Sequence, residues 1–208
     1  MESWIVRNSE TSFTVNFNST GDISTTLTAS ADEVNSWIAE ILRVHRRRLN
    51  RLIVGLDCEW RPSFTRAQQN PVALLQLCVG RRCLIFQLLY ADEIPSSLLD
   101  FLHDGRFTFV GVGIHNDVER LDDERGISVY NAKDLKEIAA EKMQRPDLRQ
   151  KGLAALAMEV MGVEVSKPKH VTMSRWDQFY LTMDQIRYAC IDAFLSFEIG
   201  RRLYDGDF

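Results

Sequence analysis

The stretch Leu52-Ile53-Val54-Gly55-Leu56-Asp57-Cys58-Glu59-Trp60 constrains this chain more than any other. A run of branched apolar residues reads as a buried strand, and this one ends on two carboxylates at positions i and i+2. Side chains alternate along a strand, so Asp57 and Glu59 project to one face, roughly 6.5 Å apart along the chain. Two acids side by side at the end of a buried strand repel each other, and burial opposes ionising either one. Either both are solvated at the strand end, or a cation resolves the conflict. Oxygen-only donors of this hardness suit Mg²⁺ or Mn²⁺.

A length of 208 residues predicts one domain with a sizeable core. The formal net charge is −4 and the pI about 5.6. No global basic field therefore advertises nucleic-acid binding, which weighs against a non-specific DNA coater. It does not weigh against a nuclease, whose acidic site is neutralised by metal ions. Met1-Glu2-Ser3-Trp4 lacks a basic region followed by an apolar stretch, which predicts no signal peptide. No run reaches the ~20 apolar residues of a membrane span. Cys58, Cys78, Cys83 and Cys190 form no Cys-x-x-Cys pair and read as buried thiols in a reducing compartment. Cys78 and Cys83 flank a tight turn and are either a facing disulfide pair or two packed thiols. The expectation is a cytoplasmic or nuclear protein with no membrane partner.

In chain order, Ser12 to Asn18 alternates through Phe13, Val15 and Phe17. Ile23 to Leu27 can pair back across Ser19-Thr20-Gly21-Asp22, which predicts an N-terminal β-hairpin over 1–29. Ser30-Ala31-Asp32-Glu33 has the form of a capping box. The stripe Val34, Trp37, Ile38, Ile41, Leu42 then makes an amphipathic helix. That helix closes on Arg43, Arg46, Arg47, Arg48 and Arg51, either a solvated helix end, where cations suit the dipole, or an RNA-binding patch. After the Asp57 strand come a polar loop over Arg61 to Asn70 and strands over Val72 to Val79 and Cys83 to Leu89. A short helix over Pro95 to Leu102 and a buried strand over Phe107 to Val112 follow. The spacing next predicts a helix from Asn116, a short strand over Ile127 to Tyr130, and helices over Asp134 to Met143 and Arg149 to Met161. Val163 to His170 reads as an irregular loop. Thr182-Met183-Asp184-Gln185 is a second capping box and opens a long helix to about Leu203. The sum is an α/β fold with a mixed five-stranded sheet flanked by helices, its carboxylates at strand ends where such sheets place ligands.

Two further stretches carry chemistry. Asp117 follows the broken strand Val110-Gly111-Val112-Gly113 in the first turn of a helix; it is either a capping aspartate or a third site acid. Tyr188 and Asp192 lie four apart on one helix face among Ile186, Ala189, Ile191 and Ala193. A tyrosine and an aspartate on an inward face need partners.

The order Asp-x-Glu on a strand, Gly-x-x-x-Asp after a strand and Tyr-x-x-x-Asp on a late helix resembles the DEDD 3′–5′ exonucleases. Tyr188 places it with the DEDDy subgroup; Arg187 stands where the histidine subgroup has its histidine. Leu56-Asp57-Cys58-Glu59-Trp60, Val110-Gly111-Val112-Gly113-Ile114 and Tyr188-Ala189-Cys190-Ile191-Asp192-Ala193 are most similar to the Werner-syndrome exonuclease domain. The resemblance spans roughly residues 30 to 203. It implies a ribonuclease-H-like (DnaQ-like) fold and a site holding two Mg²⁺ or Mn²⁺ ions. Asp57, Glu59 and Asp192 would bind the metal that activates water, Asp57 would bridge to the second, Asp117 would act through coordinated water, and Tyr188 would orient the nucleophile. The chain carries no helicase and so resembles the stand-alone plant members, among them the RISC-interacting clearing exoribonucleases. That likeness implies single-stranded RNA read from its 3′ end, a homo-oligomer in the form of a hexameric ring, and an Argonaute silencing complex as partner. The alternatives are a Werner-like DNA 3′–5′ exonuclease and a catalytically silent nucleic-acid-binding scaffold, although silent relatives usually lose acids and all four stand here. The family places the loop Lys167-Pro168-Lys169-His170, with Ser174-Arg175-Trp176, beside the substrate. Lys167, Lys169 and Arg175 are then phosphate contacts or solvated cations. Trp60 and Trp176 are stacking platforms or core.

Overall fold

The computed structural model describes residues 3–18, 21–63 and 69–208. Ser19 and Thr20 of the expected hairpin turn, and 64–68 of the loop after Trp60, lie outside the described residues. Within these limits the strands are β1 (Trp4–Arg7), β2 (Ser12–Asn16), β3 (Asp22–Thr28), β4 (Leu52–Trp60), β5 (Val72–Val79), β6 (Arg82–Phe86), β7 (Phe107–Gly111) and β8 (Ala132–Asp134). The helices are α1 (Ala31–Val44), α2 (Ser96–His103), α3 (Ile114–Arg125), α4 (Leu135–Lys142), α5 (Leu153–Met161), α6 (Lys169–Thr172) and α7 (Met183–Asp205).

The strands form one mixed sheet in the order β1-β2-β3-β6-β5-β4-β7-β8. The five expected strands are its β6-β5-β4-β7-β8 part. The N-terminal hairpin is no appendage, because β3 pairs parallel to β6 from Ser24↔Arg82 to Thr28↔Phe86 and carries the sheet on through β2 to β1. No local pattern announces that long-range pairing. Every residue of β5 and five of the nine of β4 are buried, as befits strands covered on both faces. The four cysteines are buried free thiols; Cys78 and Cys83 face each other across β5 and β6 unbridged.

Three local expectations shift, each for a visible reason. The last strand sits at Ala132–Asp134 and not at Ile127–Tyr130. Gly126, at φ 64°, ends α3 in a left-handed turn, and the Ile127 amide closes onto the Leu121 carbonyl with its side chain buried. The helix expected from Arg149 splits into a 3₁₀ turn over Pro146–Gln150 and α5, because Gly152 is extended. The box at Ser30 does not form: the Ser30 amide donates instead to Thr28 Oγ1 at 2.9 Å, and Glu33 accepts from the Thr11 hydroxyl at 2.9 Å. The box at Thr182–Gln185 does form. Gln185 also donates to Ser174 Oγ at 2.9 Å, which ties the start of α7 to the preceding loop. No described helix is long and apolar enough to cross a membrane.

Candidate active site

The cleft arises where β4 outruns its parallel neighbour. β4 pairs with β7 only from Leu52 to Gly55, whereas β5 accompanies it to Trp60. Asp57 and Glu59 therefore lie past the end of β7, where the chain turns through Gly113 (φ 73°) into α3. A carboxyl oxygen of Asp134 accepts the Gly113 amide at 3.0 Å, pinning this turn to the end of β8. Asp117 is thereby held, buried, in the first turn of α3.

The fourth wall is α7. A Cβ on Gly55 would run into the Ala193 carbonyl and the Phe197 amide, so the helix lies on β4 with backbone almost touching backbone. Gly200 repeats the close approach one level down, against Val110 and Ile53. This contact sets Asp192 beside the strand acids. Carboxyl oxygens of Asp57, Glu59 and Asp192 all lie within 4.8 Å of one another. Tyr188, one turn earlier, packs its ring against buried Trp176 at 5.9 Å between centroids. Trp176 donates its indole N–H to the Thr172 carbonyl and is core.

Electrostatics marks the cluster as short of positive charge. Burial, then the charges of Asp192 and Asp117, pushes the Asp57 carboxyl well above the usual carboxylate range. Burial, then Asp57 and Asp192, does the same to Glu59. Burial pushes Asp117 up to about 7, opposed by Arg120 and by a hydrogen bond from Asn116. Burial and the neighbouring acids raise Tyr188, so its phenol remains a proton donor. Lys167 is the cation that answers Asp57, Glu59 and Asp192: its Nζ donates to Asp192 Oδ2 at 2.7 Å and lies 5.4 Å from the centre of the Tyr188 ring. Burial depresses this ammonium, but Asp192, Asp57 and Glu59 outweigh it and hold it above its ordinary value.

These residues fit a divalent metal centre. The donors are all carboxylate oxygens, the preference of Mg²⁺ and Mn²⁺. Directly across from Asp57 on β5, Gln76 is fully buried with both side-chain polar atoms unpartnered. Such a group costs about 1–3 kcal/mol unless something bonds it, and a hydrated ion in the cleft brings water to that neighbourhood.

The other candidates are placed less centrally. The Arg120 guanidinium stacks 4.0 Å over the Trp60 ring and pairs with Glu124, so one face of that indole is already covered. Arg175 is exposed and tied to Asp177 at 3.1 Å. Lys169 is exposed at the start of α6. Sequence reasoning missed the Lys167–Asp192 pair, the Asp134 brace and Arg120. For Asp134 there was a signal, an aspartate just ahead of a helical run, whose side chain indeed caps α4 at the Lys136 amide. It missed too that Ser3, just before β1, and Phe17, just after β2, line a cavity of about 110 Å³ with Tyr188 and Asp192.

The clustered acids have a direct consequence for stability. Asp117, at about 7 in the fold and near 3.9 when unfolded, binds its proton more tightly in the native state. Native protein therefore holds more protons across that window, and stability falls as pH rises through it. Metal-free protein is expected to melt several degrees higher at pH 5 than at pH 8, with excess Mg²⁺ removing the difference. Calorimetry in EDTA checks this; a melting temperature that climbs with pH would contradict it.

The family model described as 3′–5′ exonuclease matches residues 27–205. The chain belongs to the 3′–5′ exonuclease family. It is similar to a 3′–5′ exonuclease of Arabidopsis thaliana, 30% identical over 180 residues, covering 85% of this chain. Among solved structures, RNase D of Escherichia coli superposes with a TM-score of 0.69 at 21% identity, over 87% of this chain and 44% of that one, a likeness of fold. The EXD2 exonuclease domain soaked in Mn superposes at 0.51 with 27% identity, over 86% of this chain and 88% of that one. The chain spans 62% of the length of the Arabidopsis relative.

Proposed function

We propose that this protein is a divalent-metal-dependent 3′–5′ exonuclease that removes 5′-mononucleotides from single strands, RNA before DNA. The observation that carries the reading is the meeting of Asp57, Glu59 and Asp192 within 4.8 Å at the open end of β4, with Asp117 and Tyr188 on the adjoining helices. Asp57, Glu59 and Asp192 would hold one ion, Asp57 would reach a second, and Asp117 would steady it through water. Two such ions supply charge neutralisation for an in-line phosphodiester displacement and a lower pKa for the attacking water.

The chain's own groups do the rest. Tyr188 keeps its proton and directs its hydroxyl to orient the water for attack. Once the carboxylates are neutralised, Lys167 is free to turn its ammonium from Asp192 to a phosphate oxygen. A strand end enters the gap that β7 leaves, and a duplex must fray first. The preference for RNA is supported by resemblance to the stand-alone plant exonucleases, and a net charge of −4 disfavours gripping duplex DNA along its length. A homo-oligomeric ring and a role in Argonaute-linked silencing are supported by the same resemblance, and the four buried thiols fit the reducing cytoplasm or nucleus. Light scattering is expected to give a multiple of 23.9 kDa; a lone monomer at micromolar concentration defeats the ring.

The test is end-labelled single-stranded RNA, single-stranded DNA and blunt duplex DNA, each with Mg²⁺, Mn²⁺ or EDTA. Stepwise shortening of RNA from the 3′ end, fastest on the single strand and absent in EDTA, is expected. Faster decay of blunt duplex DNA would restore the Werner-like DNA reading, and hydrolysis in excess EDTA would remove the metal mechanism.

Tyr188→Phe retains the ring against Trp176 but removes the hydroxyl. A loss in kcat of about 10²–10³-fold is expected, as for other single positioning groups, with melting temperature unchanged. Wild-type kcat would return Tyr188 to the core.

A further inference from the structure

The acids occupy one pole of the sheet. The opposite pole, where β4, β6 and β7 begin and α1 and α7 end, is charged with the other sign. Arg43, Arg46, Arg47, Arg48 and Arg51 lie within nine consecutive residues, and all five are exposed. Arg43 stands in the last turn of α1 and Arg46 reaches back to the Arg43 carbonyl at 3.4 Å, so the helix end accounts for two of them. Arg46, Arg47, Arg48 and Arg51 follow α1 in tight turns, held by backbone bonds from Arg48 to His45 and from Arg51 to Arg48.

The acids around this pole are already engaged by other arginines. Glu40 pairs with Arg82, Asp104 with Arg106, Glu198 with Arg201 and Arg202, and Asp205 and Asp207 with Arg201. Among the described residues no carboxylate comes within ion-pairing reach of any of the five. A chain of net charge −4 thus gathers five unneutralised guanidiniums on one ordered segment. Guanidinium groups donate in a fork that matches phosphate oxygens.

We propose that Arg43, Arg46, Arg47, Arg48 and Arg51 form a phosphate-binding surface for the 5′ body of a single strand whose 3′ end lies at Asp57, Glu59 and Asp192. The inference rests on the exonuclease reading for its substrate. From Leu52, next to the patch, to Asp57 is five residues of strand, about 17 Å. A stacked strand advances about 3.4 Å per nucleotide along its axis. A stacked tetranucleotide in the cleft therefore ends short of the arginines, and a 20-mer passes them. An anionic membrane offers phosphates too, but it could not place a 3′ end in the cleft at the same time.

The experiment compares the protein with the triple variant Arg46→Gln/Arg47→Gln/Arg48→Gln, whose altered side chains are exposed. Anisotropy of a labelled single-stranded 20-mer is read in Mg²⁺ on an Asp57→Asn background, across a salt series; hydrolysis of a 4-mer is read with Asp57 intact. The expected result is tenfold or greater loss of 20-mer affinity, and a salt slope shallower by about 2 for three lost phosphate contacts on a single strand. The 4-mer is expected to turn over at the unaltered rate with the melting temperature kept. An unchanged 20-mer affinity and slope would overturn the proposal. So would parallel losses on 4-mer and 20-mer, a changed particle mass with unchanged affinity, or capture by phosphatidylserine vesicles lost in the variant while the 20-mer still binds. Failure of the unsubstituted protein to shorten either oligonucleotide strikes the exonuclease reading; the anisotropy comparison still reads the arginine surface.

Discussion

Asp57→Asn and Asp192→Asn are each expected to hydrolyse a labelled single strand at less than about a thousandth of the unsubstituted rate. Each removes a carboxylate from the one place where the described acids converge within ligand reach. A metal centre supplies several kcal/mol of transition-state stabilisation, and each 1.36 kcal/mol is tenfold in rate. The same substitution has the opposite effect on the fold. Asp57 is disfavoured as a charge by burial and by Asp192 and Asp117, so the neutral amide relieves repulsion. Metal-free Asp57→Asn is expected to melt at or above the unsubstituted temperature while its Mn²⁺ binding by calorimetry collapses. A variant that retained activity, or that lost it only by unfolding, would remove Asp57 from the metal centre.

Gly55→Ala is the second large effect, and here stability moves as well as activity. The added methyl meets the Ala193 carbonyl and the Phe197 amide, main-chain atoms in the middle of a buried helix that cannot rotate aside. Overpacking of this kind costs about 1–3 kcal/mol and sometimes more, or roughly 2–4 °C per kcal/mol in a chain of this size. Because α7 must lift off β4, Asp192 parts from Asp57 and Glu59. Activity is expected to fall by about 10²-fold or more even where the protein remains folded, as misplacement of about 1 Å does elsewhere. Gly80→Ala serves as the control, since no atom lies within 4 Å of a Cβ there, although its φ of 60° adds local strain. Full activity in folded Gly55→Ala would show that the helix acid is positioned by something other than this contact.

The chemistry was legible in the sequence because it obeys short periods. Asp57 and Glu59 share a face by strand alternation, Tyr188 and Asp192 by helical spacing, and the Thr182–Gln185 box marks the start of α7, as found. Features set by distant partners were not legible. The parallel pairing of β3 with β6 joins segments nearly sixty residues apart, so the hairpin looked separate from the sheet it extends. Ser30 and Glu33 carry the letters of a capping box, yet Thr28 takes the Ser30 amide and Thr11, brought in by the fold, takes the Glu33 carboxylate. Ile127 looked like strand because it is apolar; it is buried as the plug behind the glycine that ends α3. The Lys167–Asp192 pair joins residues twenty-five apart through a loop whose course no periodicity describes.

The main-chain contact at Gly55 also governs how much change the site can withstand. Where two elements meet through side chains, every exchange of a core residue resets the distance between them. Here the gap between the strand acids and the helix acid is gauged by peptide groups, which every residue carries alike. The side chains around it, Phe197 and Ile191 among them, can drift in size and shape at some expense in stability while the carboxylates stay at one separation. The catalytic spacing is thereby insulated from much of the evolution of the core that surrounds it, and its vulnerability is gathered into two missing methyl groups, at Gly55 and Gly200.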